Sequence, residues 1–269
     1  MRTLITIIQE HIENRWQIIK LAKNDIIRTY RGSAFGWAWA LIRPAITIFV
    51  FWFAFEIGLR GGGSTKENPF MWFACGIIPW FYIRDMLQGG TRSIGKYGYL
   101  VTKMKFPIST ITTFVSISKI MINMVIISVM IIIFWIQGYP PTIYYLQIPF
   151  YYMCAFMFFT SFALFASPLA VISKDFGNLI RSFVMAVFWF SGIMWDPSII
   201  SVGWLKRSLQ VNPVTFICSG FRESLIDGVW FFDPSRYQRS MFFIILLFIV
   251  VALALHVHKR TRQEIPDLL

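Results

Sequence analysis

Five polar side chains share one face of a long apolar segment and are the first candidates for a functional site. Ser109, Thr112, Ser116, Lys119 and Asn123 follow one another at intervals of three and four residues, which places them on one side of a helix. Hydroxyl and amide groups commonly join membrane helices through hydrogen bonds. An ammonium group such as that of Lys119 instead requires water, a carboxylate or an anionic headgroup. The pattern therefore fits either helix packing or a polar groove, and the sequence leaves both open.

A single arginine stands near the start of the first long apolar run. Arg43 follows Gly36 by seven residues and precedes Pro44. The Arg43 guanidinium could extend to the lipid headgroups, or it could face an inner cavity that holds a phosphate. Both interpretations remain open.

Residues that commonly carry catalysis or bind metals are few and scattered. His11, His256 and His258 do not form a zinc-binding set. The glycine-rich stretch at 58–63 is followed by Ser64, where a phosphate-binding loop requires lysine. The sequence therefore predicts no catalytic residue, no metal site and no ATP-binding loop on this chain.

The composition identifies the class of protein to which these residues belong. Apolar residues make up 57% of the 269 residues and charged residues 14%, against about 45–50% and about 25% in soluble globular proteins. The 28 Phe, 11 Trp and 10 Tyr residues exceed what a soluble core of this size could bury. These values exclude a soluble globule, a disordered chain and a disulfide-rich scaffold, and they predict an all-α polytopic membrane protein.

Six apolar stretches are long enough to cross a bilayer as helices, since about 20 residues are needed. We predict them at 36–58, 69–88, 108–136, 146–172, 178–195 and 240–257, within a single transmembrane domain that covers residues 1–269. No cleavable signal sequence is expected before the first of them.

The basic residues predict how these spans are oriented. Segments 1–43, 84–105, 173–181 and 258–269 hold 17 of the 25 Lys and Arg residues, and segments 59–68, 137–145 and 196–237 hold 6. Basic loops collect on the cytoplasmic side, and six spans place both termini there. The net charge of +12 is then mostly a topology signal, so we expect no nucleic-acid partner.

Residues 1–33 are predicted to form an amphipathic helix. Apolar residues recur every three or four positions, with polar residues between them. Such a helix could lie in the inner membrane interface or pack on another subunit. The apolar positions are Leu4, Ile8, Ile12, Trp16, Ile19, Ala22 and Ile26.

Two loop segments are too distinctive to be simple connections. In the inner one, a short helix would project Leu100, Met104 and Phe106 beside two lysines, either as a docking surface for a soluble partner or as an ordinary basic loop. The outer segment, 196–237, is predicted to fold into short re-entrant or interfacial helices that form an extracellular cap. Arg222 and Glu223 are expected to pair within this cap.

The sequence resembles, over essentially its whole length, the membrane subunit of type-2 ABC exporters of cell-surface polymers. The resemblance rests on the order and spacing of several short motifs. These are residues 26–37 leading into Arg43-Pro44, residues 76–80, 103–107 and 173–175, Asn212-Pro213, Arg222 and Gly228. Within the family, residues 100–110 look most like wall teichoic acid exporters of Gram-positive bacteria, and O-antigen and capsule exporters are near relatives.

The resemblance implies that two copies of this chain join two copies of a separate ABC ATPase, which carries the ATP and magnesium. Residues 96–107, the coupling segment, would transmit the motion of the ATPase. The residues that inherit this role are Lys103, Met104, Lys105, Phe106 and Pro107. The N-terminal helix would be a gate for a polymer linked to undecaprenyl pyrophosphate. The residues expected to meet its phosphates are Arg28, Tyr30, Arg31, Arg43 and Lys119.

We therefore expect a multi-pass chain of the cytoplasmic membrane of a Gram-positive bacterium that exports lipid-linked wall teichoic acid, with O-antigen or capsule polysaccharide as the alternative. In one departure from the family pattern, Lys174 stands where arginine is common, which weakens any bidentate contact. Two other classes fit less well. A secondary transporter needs buried carboxylates and internal repeats, and a lipid-modifying enzyme needs a cluster of histidines or acids at one depth.

Overall fold

The computed structural model describes residues 2–59, 69–104, 106–196 and 201–269. All regular structure in these ranges is helical, which confirms the all-α prediction. The α-helices are α1 (Arg2–Glu13), α2 (Arg15–Tyr30), α3 (Trp39–Trp52), α4 (Pro69–Asp85), α5 (Ser93–Lys96), α6 (Gly98–Met104), α7 (Ile108–Ile136), α8 (Ile148–Ile172), α9 (Lys174–Trp189), α10 (Gly203–Val211), α11 (Pro213–Arg222), α12 (Tyr237–Thr261) and α13 (Ile265–Leu268).

Four of the helical segments within the described ranges are long and apolar enough to cross a membrane. They are Gly36–Phe55, Ile108–Ile136, Ile143–Ile172 and Pro234–Thr261, which correspond to the first, third, fourth and sixth predicted spans. At the fifth position α9 has only 16 residues. At the second, α4 has 17 residues and continues into a π-helical turn at Met86–Gly90, so the helical run covers the predicted span. Charged residues at their ends shorten the apolar stretch, so the six-span arrangement stays a prediction.

Helix α4 is enclosed by protein along most of its length. Every residue from Met71 to Ile83 is buried, and the helix packs against α3, α7 and α11. A helix that is apolar on all sides is typically a core helix. The lipid-facing surface is left to other helices, such as α12 with its exposed Phe248 and Ile249.

A buried arginine joins α11 to α4 at the opposite end from the termini. The Arg222 guanidinium donates hydrogen bonds to the carbonyl oxygens of Gly192 at 3.0 Å, Trp72 at 3.3 Å and Ile193, and it lies 3.7 Å from the centre of the Trp72 ring. A Cβ atom on Gly76 would lie 2.2 Å from Nη2 of Arg222. The Arg222 side chain can therefore occupy this position only because residue 76 is glycine.

The cap contains the predicted short helices, since α10 and α11 have 9 and 10 residues. The expected pairing within it is wrong, because Arg222 contacts backbone carbonyls, whereas Glu223 pairs with Arg236 at 3.1 Å and Arg239 at 2.5 Å. The predicted cap also includes residues 197–200, which lie outside the described residues.

A second, smaller apolar core gathers distant parts of the chain at one end of the long helices. It contains Ile18 and Ala22 of α2, Leu100 of α6, Phe106 of the following turn, and Ile265 of α13. Helix α7 has 29 residues and is about 44 Å long, which exceeds a hydrocarbon thickness of about 30 Å. Its first turns can therefore extend beyond the bilayer and carry this core.

The N-terminal segment forms two helices, α1 and α2, that meet at Asn14. Their apolar residues are largely exposed: Ile8 is 49%, Ile12 57% and Trp16 67% accessible. The carboxylates of Glu10 and Asp25 are buried instead. The side turned towards the protein therefore combines these two acids with Ile18 and Ala22 of α2. Other polar residues of α2, such as Lys20 and Lys23, are exposed.

We expect Gly76→Ala to lower the melting temperature of the detergent-solubilised protein. The new methyl group would collide with the Arg222 guanidinium and the Ile193 carbonyl, and overpacking of this kind costs about 1–3 kcal/mol. Gly203→Ala is the matched control, because nothing lies within 4 Å of a Cβ atom there. The melting temperatures are measured by tryptophan fluorescence. Equal values for the two variants would show that Arg222 moves aside without a loss of stability.

Candidate functional site

Two neighbouring cavities lie at the end of α4 that carries Arg84 and Asp85, and we call them the inner cavities. The smaller has a volume of about 150 Å³ and the larger about 300 Å³. Their walls share Asp85 and Lys119. The smaller is also lined by Tyr30, Trp39, Arg43 and Arg84, and the larger by Gln88, Gly89, Arg92 and Arg181.

The inner cavities bring together three of the five predicted substrate residues. Tyr30, Arg43 and Lys119, from α2, α3 and α7, line the same cavity. Arg28 and Arg31 are exposed and line neither cavity. They flank the cavity residue Tyr30 in the sequence, at exposed positions.

The charge of the inner cavities is strongly positive. Among the described lining residues, five are basic and one, Asp85, is acidic. The Asp85 carboxylate accepts a hydrogen bond from Arg84 at 3.0 Å, and Arg43 lies over the Trp39 ring at 5.4 Å. Guanidinium groups bind phosphate oxygens in a bidentate manner, so this arrangement suits a phosphorylated ligand.

Three of the five basic residues were not singled out by the sequence. Arg84, Arg92 and Arg181 come from α4, the turn before α5, and α9. Their presence in the predicted cytoplasmic segments was a usable signal, but a basic loop residue has no pattern that tells whether it faces a cavity. Tertiary packing brings them together, because α4 packs against α7 and α9 packs against the π-helical turn Met86–Gly90 that follows α4.

Asp25, on α2, is a buried carboxylate shared by three parts of the chain. Its side chain is 1% exposed. Oδ1 accepts hydrogen bonds from Nζ of Lys96 at 2.9 Å and from the hydroxyl of Tyr97. Oδ2 accepts one from Oγ of Ser118 at 2.5 Å and lies 3.5 Å from Nζ of Lys119. One side chain therefore connects α2, the coupling segment and α7.

The partners of Asp25 determine its pKa. Burial by itself raises the pKa, but the charge of Lys119 and the hydrogen bonds from Ser118, Tyr97 and Lys96 outweigh this effect and lower it from 3.8 to about 2. Burial and the bond to Asp25 raise the pKa of Tyr97. The carboxylate is therefore ionised, and the phenol is protonated, across the physiological range.

The polar face of α7 mostly serves helix packing. Ser109 donates to Glu10 at 2.5 Å, Ser116 shares a hydrogen bond of 2.8 Å with Tyr82, and Asn123 donates to the Ile78 carbonyl at 2.8 Å. Thr112 donates to the Ser109 carbonyl of its own helix. Lys119 differs, because it pairs with Asp25 and lines the inner cavities. Both interpretations of this face therefore hold, each for different residues.

Two of the predicted docking residues of the coupling segment are exposed and one is buried. Lys103 and Met104 are accessible, the latter at 66%, and Pro107 is half-buried. The expectation that Leu100 and Phe106 project outwards is wrong, since they are 3% and 7% exposed and belong to the second core. Lys105 lies outside the described residues.

The sequence comparisons identify the family of this protein. The chain belongs to the ABC-2 type transporter family, whose profile matches residues 17–226. The matched region contains every residue that lines the inner cavities. The chain is therefore a membrane permease subunit of an ABC-2 exporter, a class that works with a separate ATPase.

Two relatives cover most of the chain. The O-antigen export system permease protein RfbA of Myxococcus xanthus is 20% identical over 220 residues, which is 81% of this chain and 84% of the relative. The protein of the same name from Klebsiella pneumoniae is 20% identical over 259 residues, or 94% of each chain. The resemblance to exporters of surface polymers is thus confirmed for the family, and neither relative is named for teichoic acid.

We expect the stabilising effect of Asp25 to be lost only in acid. A carboxyl whose pKa is lowered by folding stabilises the protein above its ordinary value of 3.8 and loses that contribution as the pH falls towards about 2. In thermal unfolding, the difference between wild type and Asp25→Asn should stay constant from about pH 8 to about pH 5. Below about pH 4 it should shrink by on the order of 2 kcal/mol. Asp175→Asn, at an exposed carboxylate, should show no such change, and a difference for Asp25→Asn that shrinks already near pH 6 would contradict the pairing.

Proposed function

We propose that this chain forms the membrane path of an ATP-driven exporter for a lipid-linked surface polysaccharide of the O-antigen class. The observation that carries the proposal is the pair of inner cavities, which are lined by five basic side chains and one acidic one. The chain belongs to a family of exporters, and the two relatives described above are named for O-antigen export. A polysaccharide of this class would be attached to its lipid carrier through phosphate groups.

Wall teichoic acid is the second candidate, and its support is narrower. It depends on the resemblance of residues 100–110 to teichoic acid exporters. The second core contains four residues of that run, Leu100, Val101, Phe106 and Ile108, and also Ile111 directly after it. A motif that fills a core reflects how helices pack, so it carries little information about the polymer. The expectation of a Gram-positive source depended on the same run.

The inner cavities are suited to hold the phosphate groups of the lipid carrier. Arg43 and Arg84 would approach from one cavity, Arg92 and Arg181 from the other, and Lys119 stands in the wall between them. Cavities of about 150 and 300 Å³ are large enough for a diphosphate, while the polyprenyl chain would remain in the lipid. The basic groups would offset the cost of taking two phosphates out of water.

The orientation follows from charge and from the second core. Helix α2, the coupling segment and Ile265 of α13 meet in that core. The segments 1–43, 84–105 and 258–269 that contain them hold 15 of the 25 Lys and Arg residues. Basic segments remain in the cytoplasm, so we place the core and the inner cavities on that side, with six spans and both termini cytoplasmic. The exposed apolar face of α1 and α2 would then lie in the inner membrane interface.

The transport cycle would use a dimer of this chain with two copies of the ATPase, which supplies ATP and magnesium. The lipid-linked polymer would enter beside α1 and α2, where Arg28 and Arg31 are exposed, and its phosphates would bind in the inner cavities. ATP-driven motion would reach the spans through the coupling segment, where Lys103 and Met104 are accessible.

Replacing both Arg92 and Arg181 by Gln should weaken substrate binding. The assay is ATPase activity of the reconstituted complex at increasing concentrations of lipid-linked O-antigen. We expect the half-maximal concentration to rise at least about tenfold, because each charge-assisted hydrogen bond contributes about 1.5–3 kcal/mol. Lys259→Gln with Arg260→Gln, two exposed residues outside the cavities, is the matched control. Stimulation by lipid-linked poly(glycerol phosphate) alone would favour teichoic acid, and equal effects of both double variants would remove the cavities from the site.

Cysteine labelling tests the orientation and the docking surface together. The three native cysteines are buried, so a single exposed cysteine reports its own position. In inside-out vesicles, a membrane-impermeant maleimide should label Lys103→Cys and leave Arg207→Cys unlabelled, and addition of the ATPase should protect Lys103→Cys. The reverse labelling would overturn the orientation, and labelling that the ATPase does not change would remove Lys103 from the docking surface.

A further inference from the structure

Asp25 lies where three functional parts of the chain meet, although no motif singles it out. The α2 helix supplies the carboxylate. Lys96 and Tyr97 of the coupling segment bind one of its oxygens, and Ser118 and Lys119 of α7 face the other. The two oxygens are thus divided between the element expected to contact the ATPase and the element that reaches the inner cavities.

The chemistry of this contact makes it a stiff connection. A carboxylate that is 1% exposed cannot replace a lost partner with water. Removing one partner of a buried charge network is strongly destabilising, because it leaves the other charge uncompensated. A displacement of Tyr97, which is 3% exposed, therefore has to be followed by Asp25, or by Ser118 and Lys119, rather than absorbed by solvent. Lys96 adds its charge to the contact, but its side chain is 49% exposed and can also be hydrated.

Lys119 gives this connection its link to the substrate. Its Nζ lies 3.5 Å from Oδ2 of Asp25, and its side chain is 15% exposed and lines both inner cavities. An anion in these cavities and the Asp25 carboxylate would compete for the same ammonium group. Occupation of the cavities would then weaken the hold of Asp25 on α7 and leave its bonds to the coupling segment in place.

We propose that Asp25 is a positioning residue that couples the inner cavities to the ATPase, by linking the coupling segment to Lys119 through its two carboxylate oxygens. The proposal rests on the proposed function, since it requires an anionic headgroup in the cavities and an ATPase at the coupling segment. Asp25 itself touches neither the substrate nor the reacting atoms.

The test compares Asp25→Asn with Glu10→Gln in the complete complex with the ATPase, reconstituted in lipid nanodiscs. Glu10 is the matched control, because it is also a buried carboxylate that holds an N-terminal helix. It accepts hydrogen bonds from Ser109 at 2.5 Å and pairs with Arg262 at 2.6 Å, but it contacts neither the coupling segment nor Lys119 among the described residues. The probe is lipid-linked O-antigen, and the readout is its stimulation of ATPase activity per assembled complex.

We expect Asp25→Asn to reduce the maximal stimulation at least fivefold and Glu10→Gln to change it by less than twofold. The comparison is made at saturating substrate, so that weaker binding by Lys119→Gln does not count. There, stimulation in the double variant Asp25→Asn with Lys119→Gln should be no lower than in the more impaired single variant, because both substitutions break the same contact. Equal stimulation of wild type and Asp25→Asn would overturn the proposal, and so would independent, multiplicative effects of the two substitutions.

Two further results distinguish a coupling role of Asp25 from a purely structural one, and a failure of the coupling role from a failure of the proposed function. If Asp25→Asn does not assemble with the ATPase, Tyr97→Phe and Ser118→Ala each remove one hydrogen bond and keep the charges. Each should then lower the maximal stimulation by about twofold or more, and unchanged stimulation in both would overturn the proposal. If wild type itself is not stimulated by the lipid-linked polysaccharide, the proposed function fails, and the coupling role of Asp25 fails with it.

Discussion

The burial of α4 on all sides is the constraint on which the rest of the structure depends. A helix that meets almost no lipid has to be surrounded by other helices, and α3, α7 and α11 occupy these positions. Close approach requires a small residue at the contact with the cap, which is Gly76 beneath Arg222. Arg84 and Asp85 lie at the end of the enclosed helix, and their charged side chains line an inner cavity instead of facing hydrocarbon.

The sequence was most informative where one pattern determined one element. Helix α7 begins and ends at the predicted residues, 108 and 136, because a long apolar run between a proline and a glycine-containing turn has few alternatives. Helix α9 is shorter than the predicted span. Helix α4 and the π-helical turn after it cover theirs, but Arg84 and Asp85 interrupt the apolar stretch, and charged residues are compatible with protein contacts as well as with an interface. The pairing of Arg222 with Glu223 was wrong because adjacent residues on a helix point in different directions.

The candidate site was predictable only in part. Tyr30, Arg43 and Lys119 were found from residue type and position within the apolar runs, and the fold brings them to one cavity. Arg92 and Arg181 belong to segments far apart in sequence, so no local spacing could relate them to Lys119. Asp25 was hidden for a different reason. It is a single acid in α2, and the apolar periodicity of that helix gave no sign that its side chain would be buried beside Ile18 and Ala22.

The arrangement of α1 and α2 has a consequence for where their stability comes from. Their buried side is held to the protein by polar contacts of Glu10 and Asp25 and by Ile18 and Ala22 in the second core. Exposed apolar side chains, such as those of Ile12 and Trp16, contact whatever surrounds the molecule. These two helices are therefore a joint product of the chain and its bilayer. Lipid thickness, headgroup charge and the choice of detergent act directly on this part of the protein, while the enclosed α4 is largely insulated from them.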